Sequence, residues 1–162
     1  MTHDTAAGIR YRLARPQDAR AIGELVRRVT RRWILVDQPA SAAAPLLRGM
    51  SAKAIRHKIL DGQRFHLAWC EDGRLAGVAA MRGDCHLFQF FVSTRLQGRG
   101  IAGRLWRRVL RDAIRRAGTR HFTLKASAVA LPVYLHLGFV PSGPLMTSDT
   151  GLTTQPMHLD LA

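Results

Sequence analysis

The stretch Phe90-Phe91-Val92-Ser93-Thr94-Arg95-Leu96-Gln97-Gly98-Arg99-Gly100-Ile101-Ala102-Gly103-Arg104-Leu105-Trp106 constrains this chain more than any other. An apolar run enters a turn with glycines at 98 and 100, and the turn opens into a basic amphipathic segment. A strand that ends in a glycine-rich turn at a helix start is an anion-binding device. The first N–H groups of the helix have no partner within it, the aligned peptide dipoles add partial positive charge, and glycine lets a phosphate approach the main chain. Arg99 and Arg104 place full charges nearby. The expected ligand carries phosphate.

Two patterns overlap in the turn. Residues 98–103 fit G-x-G-x-x-G, a dinucleotide fingerprint that belongs in a βαβ unit and is followed about twenty residues on by an acidic residue for a ribose. The next strand-like segment, His121-Phe122-Thr123-Leu124-Lys125, has no Asp or Glu in or just after it, and Asp112 falls too early, in mid-helix. Too little chain remains for a doubly wound sheet. The second pattern is Gln97-x-x-Gly100-x-Ala102, of the form Q/R-x-x-G-x-G/A.

From the N-terminus, Ile9-Arg10-Tyr11-Arg12-Leu13 alternates as a strand. Pro16 opens a helix in which Ala19, Ile22, Val26 and Val29 recur at spacings of three and four. Residues 33–49 keep no clean period and read as a long loop or short helical pieces. Irregular connections of that length are usually functional or mobile. Ser51 caps a helix that runs to about Leu60. Two strand-like runs, 64–70 and 74–81, flank the hairpin signal Glu71-Asp72-Gly73, and a turn at Gly83-Asp84 leads into a third, 85–92. From Gly100, a helix sets Ile101, Leu105, Val109, Ala113 and Ala117 on one stripe, and Gly118 ends it. A strand at 121–125, a short helix at 131–137 and a last hairpin from 140–143 and 155–161 complete the chain.

Downstream of the phosphate turn stands Ala130-x-x-x-Tyr134-x-x-x-Gly138-Phe139, and Pro156-Met157-x-Leu159 closes the chain. With Gln97-x-x-Gly100-x-Ala102 and the Arg15-Pro16-x-Asp18 opening, these elements resemble the GCN5-related N-acetyltransferases (GNAT) over roughly residues 9 to 161. The resemblance implies an α/β (α+β) fold: a central mixed, mostly antiparallel sheet of about six or seven strands, flanked by about four helices. The strands would follow in sequential order, with a splayed central pair. It makes residues 1–8 a disordered tail and 9–162 a single acetyltransferase domain.

The same resemblance implies acetyl-CoA (coenzyme A) as acyl donor and a primary amine as acceptor, joined by direct attack in a ternary complex. Gln97, Gly98, Arg99, Gly100, Ile101, Ala102, Gly103 and Arg104 would take the pyrophosphate, and backbone groups of Phe91 and Val92 the pantetheine and thioester. Ser127 stands where many relatives carry an Asn that touches the cofactor, which leaves that contact open. Tyr134 is the candidate general acid, because a phenol with pKa about 10 is protonated at neutral pH and can donate to a departing thiolate. A packing tyrosine accounts for the residue type equally well. His86, six residues before Val92, stands where relatives place a Glu or His base. An imidazole with pKa about 6.5 suits amine deprotonation, directly or through water. A strand histidine with no catalytic part is the alternative.

The histidines form no metal-ligand spacing, so no metal is implied, and neither Cys70 nor Cys85 sits in a nucleophile setting. The formal charge of +14 attracts polyanions. It keeps open a GNAT-like binding module that holds nucleic acid through its arginines, and beside it a non-catalytic acetyl-CoA sensor. The arginines are spread over several helices, however, which is the pattern of a solvated surface. Few carboxylates stand in the N-terminal region, which speaks against polyamine and aminoglycoside acceptors. The expected acceptor is an amine of a small molecule or a protein, with those two less favoured. A homodimer is common in the family, but no segment here identifies an interface. No run reaches transmembrane length and the N-terminus lacks a basic–apolar leader pattern, so a cytoplasmic protein without membrane partners is expected.

Overall fold

The computed structural model describes residues 8–162, so the expected tail lies outside the described residues except for Gly8. Strand β1 (Arg10–Leu13) leads through a turn at Pro16–Asp18 into helix α1 (Ala19–Val29), followed by α2 (Ala40–Arg48) and α3 (Ala52–Leu60). Three strands come next: β2 (Arg64–Trp69), β3 (Leu75–Arg82) and β4 (His86–Val92). Helix α4 (Ile101–Ala117), strand β5 (His121–Ala126) and helix α5 (Leu131–His136) follow. The chain closes with β6 (Val140–Pro141), β7 (Met146–Thr147) and β8 (Thr153–Asp160).

The sheet runs β1-β2-β3-β4-β5-β8-β6, with β7 also paired to β8. Among the described residues, eight strands and five helices thus stand where about six or seven and about four were expected, the surplus being two strands of two residues each and α2. The order is sequential through β5; beyond it β8, the last strand in the chain, comes before β6. Strand β6 pairs with β8 at Val140↔His158 and Pro141↔Met157, and the Ser142 N–H just beyond it donates to the Pro156 carbonyl at 3.0 Å. Every pairing is antiparallel except β4 with β5.

That parallel pair makes the opening. Strands β4 and β5 meet only at His86↔Thr123 and Leu87↔Leu124, then diverge. On its other side β4 follows β3 from Arg82↔His86 to Gly77↔Val92, with Phe88 as an extra residue between Leu87 and Gln89. Such a bulge bends a strand and re-aims its side chains.

The two faces of the sheet carry two apolar cores. On one face Leu105, Trp106 and Val109 of α4 pack on Phe122, Leu124 and Phe139. The stripe expected from the period of α4 is buried from Ile101 to Ala113, and Ala117 is exposed at its end. On the other face Ile22, Leu25 and Val26 of α1 pack with Ile55 of α3 on Phe65 and Leu67. Between α1 and α2, the region without a clean period forms a π-helical turn (Thr30–Ile34) and a 3-10 turn (Leu35–Asp37). Thr30 is fully buried, with its hydroxyl 3.3 Å from Met50 Sδ. The wider π turn breaks the 3.6-residue period, so Trp33 and Ile34 face the cleft described below.

Polar contacts pin these layers. Arg12 clasps Asp18 at 2.7 and 3.0 Å, and Asp18 also accepts the Arg15 N–H, which holds the entry to α1. Beneath α4, Asp112 takes Arg64 at 2.5 and 2.9 Å and lies 3.4 Å from His66 Nε2. Burial pushes the His66 imidazole down to about 4, against the opposing pull of Asp112. Among the described residues, no helix is long and apolar enough to cross a membrane.

Candidate active site

The divergence of β4 from β5 opens a cleft of about 1480 Å³. At one end lies the turn before α4. Gly98 and Gly100 adopt φ of +80° and +79°, a conformation that side chains with a Cβ resist. The Gly100 carbonyl accepts the Arg104 N–H at 3.1 Å as the first helical bond, so the N–H groups of Ile101, Ala102 and Gly103 have no partner within the helix. Gly103 is the informative residue. A glycine in the helix costs about 1 kcal/mol relative to alanine, yet a Cβ there would meet no atom within 4 Å. Nothing in the chain needs the space, and Gly103 lines the cleft. The glycine leaves room for a ligand to approach the helix start closely, and the donors around it suit a pyrophosphate.

Of the residues expected in this cradle, Gln97, Gly98, Gly100, Ile101, Ala102 and Gly103 line the cleft. Arg99 and Arg104 stand outside its wall, and Arg107, one turn further along, is the arginine of α4 that lines it. The helical period decides this, since Arg107 shares a face with Gly103 and Arg104 does not. The Gln97 side-chain amide donates to the Val92 carbonyl at 3.3 Å and so ties the turn to the end of β4. Ser127 also lines the cleft, and its hydroxyl accepts the Ala130 N–H at 3.3 Å in the turn before α5.

The register of β4 decides which backbone groups face the opening. Ser93 N–H bonds the Ala76 carbonyl at 2.7 Å. Alternation along an antiparallel ladder then turns the N–H and C=O of Phe91 toward Val78. The groups of Val92 and Phe90 face the open side instead. The resemblance had named Phe91 and Val92; Phe90 takes the place of Phe91, whose ring is 8% exposed in the wall. A one-residue alternation cannot be read without the pairing partner.

Tyr134 and His86 line the same cleft. Tyr134 packs on Phe90 and Phe139, with ring centroids 5.9 and 6.1 Å away. Burial pushes its phenol above the ordinary value, so it keeps its proton at neutral pH. His86 Nδ1 lies 2.8 Å from Thr123 Oγ1, where β4 and β5 are still paired. Burial lowers the His86 pKa, and the charges of Arg82 and Lys125 lower it further. With Nδ1 donating to Thr123, Nε2 keeps a free lone pair. The arrangement can hold a phosphate ligand at one end, accept a proton at His86 and donate one from Tyr134.

A family model for the acetyltransferase (GNAT) domain matches residues 36–161. The chain belongs to the GNAT acetyltransferase family. No curated protein matches it. Solved structures share the GNAT fold. The GCN5-related N-acetyltransferase from Rhodopseudomonas palustris is 19% identical, with 95% of this chain and 96% of that one covered and a TM-score of 0.78. The PaiA N-acetyltransferase from Thermoplasma acidophilum, in complex with coenzyme A, is 15% identical over 94% and 98% of the two chains, with a TM-score of 0.75. A GNAT superfamily phosphinothricin acetyltransferase from Sinorhizobium meliloti, in complex with AcCoA, is 20% identical over 96% and 89%, with a TM-score of 0.68.

The rest of the cleft is lined by Trp33 and Ile34 of the π turn, Leu46 of α2, Met50 beyond its end, Arg82 at the end of β3 and the bulged Phe88 of β4, among others. In the sequence the stretch 33–49 keeps no clean period, and no motif there marks which of its side chains reach the cleft.

Proposed function

We propose that this protein transfers an acetyl group from acetyl-CoA to a primary amine by direct attack in a ternary complex. One observation carries the reading: a single cleft joins the donor-rich turn before α4, the unpaired edge of β4, Tyr134 and His86. Acetyl-CoA, when bound, supplies an acyl group activated as a thioester. The turn at residues 97–103 and Arg107 hold phosphate, and the edge groups of Phe90 and Val92 align the acyl arm. An N–H on that edge also stabilises negative charge that develops on the acyl oxygen. His86 Nε2 accepts the proton that the amine sheds as its nitrogen bonds to the acyl carbon. Tyr134 gives its proton to the sulfur as the carbon–sulfur bond breaks, and solvent restores both groups.

Titration with acetyl-CoA by calorimetry tests the foundation, repeated on Gly100→Glu. That substitution strains a left-handed position and sets a carboxylate where the phosphates belong. Micromolar binding lost in the variant is expected, followed by thiol release with an amine. Absence of binding by the unaltered protein would overturn the reading.

A further inference from the structure

The far end of the cleft holds positive charge without counter-ions. Arg82, which lines the cleft, lies 5.3 Å from the centroid of the bulged Phe88 ring; Lys58, 5.4 Å from the same ring, is not among the lining residues and donates to the Gly49 carbonyl at 2.8 Å. Burial and the charge of Arg82 together push the Lys58 ammonium down, which records like charges held close. Lys125 stands two residues beyond Thr123 on β5, on the same side as His86, and lines the cleft with Arg82. No Asp or Glu is among the described residues that line it. The carboxylate of Asp84, in the adjoining turn, is taken by Arg116 at 3.1 Å.

The turn before α4 does not need this charge. His86 and Val92 are at opposite ends of β4, on the order of 20 Å apart at strand rise. Phosphates held by residues 97–103 are therefore remote from Arg82. The position of Arg82 relative to the candidate base is specific. Arg82 and His86 are direct cross-strand partners, so their side chains leave one face of the sheet about 5 Å apart. An amine at His86 Nε2 brings a neighbouring anionic group within reach of the Arg82 guanidinium. Val29, Trp33, Ile34, Leu46, Met50 and Phe88 supply an apolar wall beside them.

Resting on the acetyl-transfer reading above, we propose that the acceptor is an apolar or aromatic α-amino acid. Arg82 binds its carboxylate with help from Lys125, His86 receives the amine proton, and the apolar wall takes the side chain. A polyamine or aminoglycoside finds repulsion here instead of a counter-charge.

The test compares L-phenylalanine with phenethylamine, and L-leucine with isoamylamine. Each pair shares its amine and apolar group and differs in the carboxylate. Calorimetric binding in the presence of CoA and thiol release from acetyl-CoA are both read, for the unaltered protein and for Arg82→Gln. The carboxylate-bearing member is expected to bind at least about tenfold tighter, as for a charged hydrogen bond. In Arg82→Gln that ratio falls to about one, while acetyl-CoA affinity is unchanged. Equal or better binding of the plain amines, or no binding of any of the four, overturns the proposal. Acetylation of plain amines as fast as amino acids also overturns it but leaves acetyl transfer standing. Arg82-dependent binding of the amino acids without thiol release supports the anion site and removes the transfer reading.

Discussion

His86 Nδ1 lies 2.8 Å from Thr123 Oγ1, on the first of the two rungs that β4 and β5 share. The contact orients the imidazole just before the strands part, and in the tautomer that donates from Nδ1 the free lone pair is on Nε2. Thr123→Val removes that partner and lets the ring rotate. Turnover is expected to fall several-fold with acetyl-CoA affinity unchanged, and Thr123→Ser should restore it. Full activity in the valine variant would remove Thr123 as a positioning residue.

The acid side of the pH–rate profile follows from the same histidine. The proposed role of His86 as base needs the neutral ring, so activity should be lost as pH falls through the His86 pKa. Burial, then Arg82 and Lys125, lower that pKa. The acid limb of kcat/KM should therefore lie below about 6.5, the ordinary histidine value. Removing the Arg82 charge should move it upward, and His86→Ala should abolish it. A limb unmoved in His86→Ala shows that another group is the base.

Tyr134→Phe keeps the ring that packs between Phe90 and Phe139 and deletes the one hydroxyl. Loss of a positioned general acid typically costs about 10²–10⁴-fold in rate. The variant should bind acetyl-CoA as before while kcat falls into that range. Because burial raises the phenol's pKa, no alkaline limb below about 10 should come from it. Comparable loss of affinity and turnover would mark Tyr134 as a packing residue.

Gly103→Ala separates folding from binding. A Cβ there meets no chain atom within 4 Å. The helix gains roughly 0.5–1 kcal/mol, which raises Tm by about 2 °C in a chain of this size. Acetyl-CoA affinity should fall by about tenfold or more, since the methyl occupies the ligand's path. Calorimetry paired with thermal melts shows whether stability rises as binding weakens.

His66 makes the fold sensitive to acid independently of the cleft. Its pKa is lowered to about 4 in the folded state, mainly by burial, against about 6.5 unfolded. The unfolded chain binds the extra proton between those values, so stability is intact above about 6.5 and falls as pH drops toward 4. The loss is on the order of 3 kcal/mol at its limit. His66→Leu should flatten the decline of Tm between pH 7 and 4.5. The nearby Asp112, held low by Arg64, begins to lose its contribution only below about 4. An equally steep decline in the leucine variant would assign the acid sensitivity elsewhere.

The sequence alone determined the elements that depend on neighbours within a turn or two of chain. The Ser51 cap accepts the Ala54 N–H at 3.1 Å, the strand periods place the three-strand meander, and Gly98 and Gly100 mark the turn that opens α4. Motif spacing then identified the family and brought Tyr134 into view. Only the tertiary structure decided what depends on register and on non-local packing. Phe90 replaces Phe91 on the open edge because the ladder to β3 fixes alternate backbone groups. Arg107 lines the cleft and Arg104 does not because helical phase counts from the packed face of α4. Arg82 meets His86 through a pairing across the turn of β3 into β4, and the π turn that presents Trp33 is held by Thr30 against Met50, twenty residues away. Local propensity acts over one turn of helix or one hairpin. The cleft wall that holds Trp33, Leu46, Arg82 and Lys125 is assembled from four separate stretches, and their meeting is set by burial on the shared sheet.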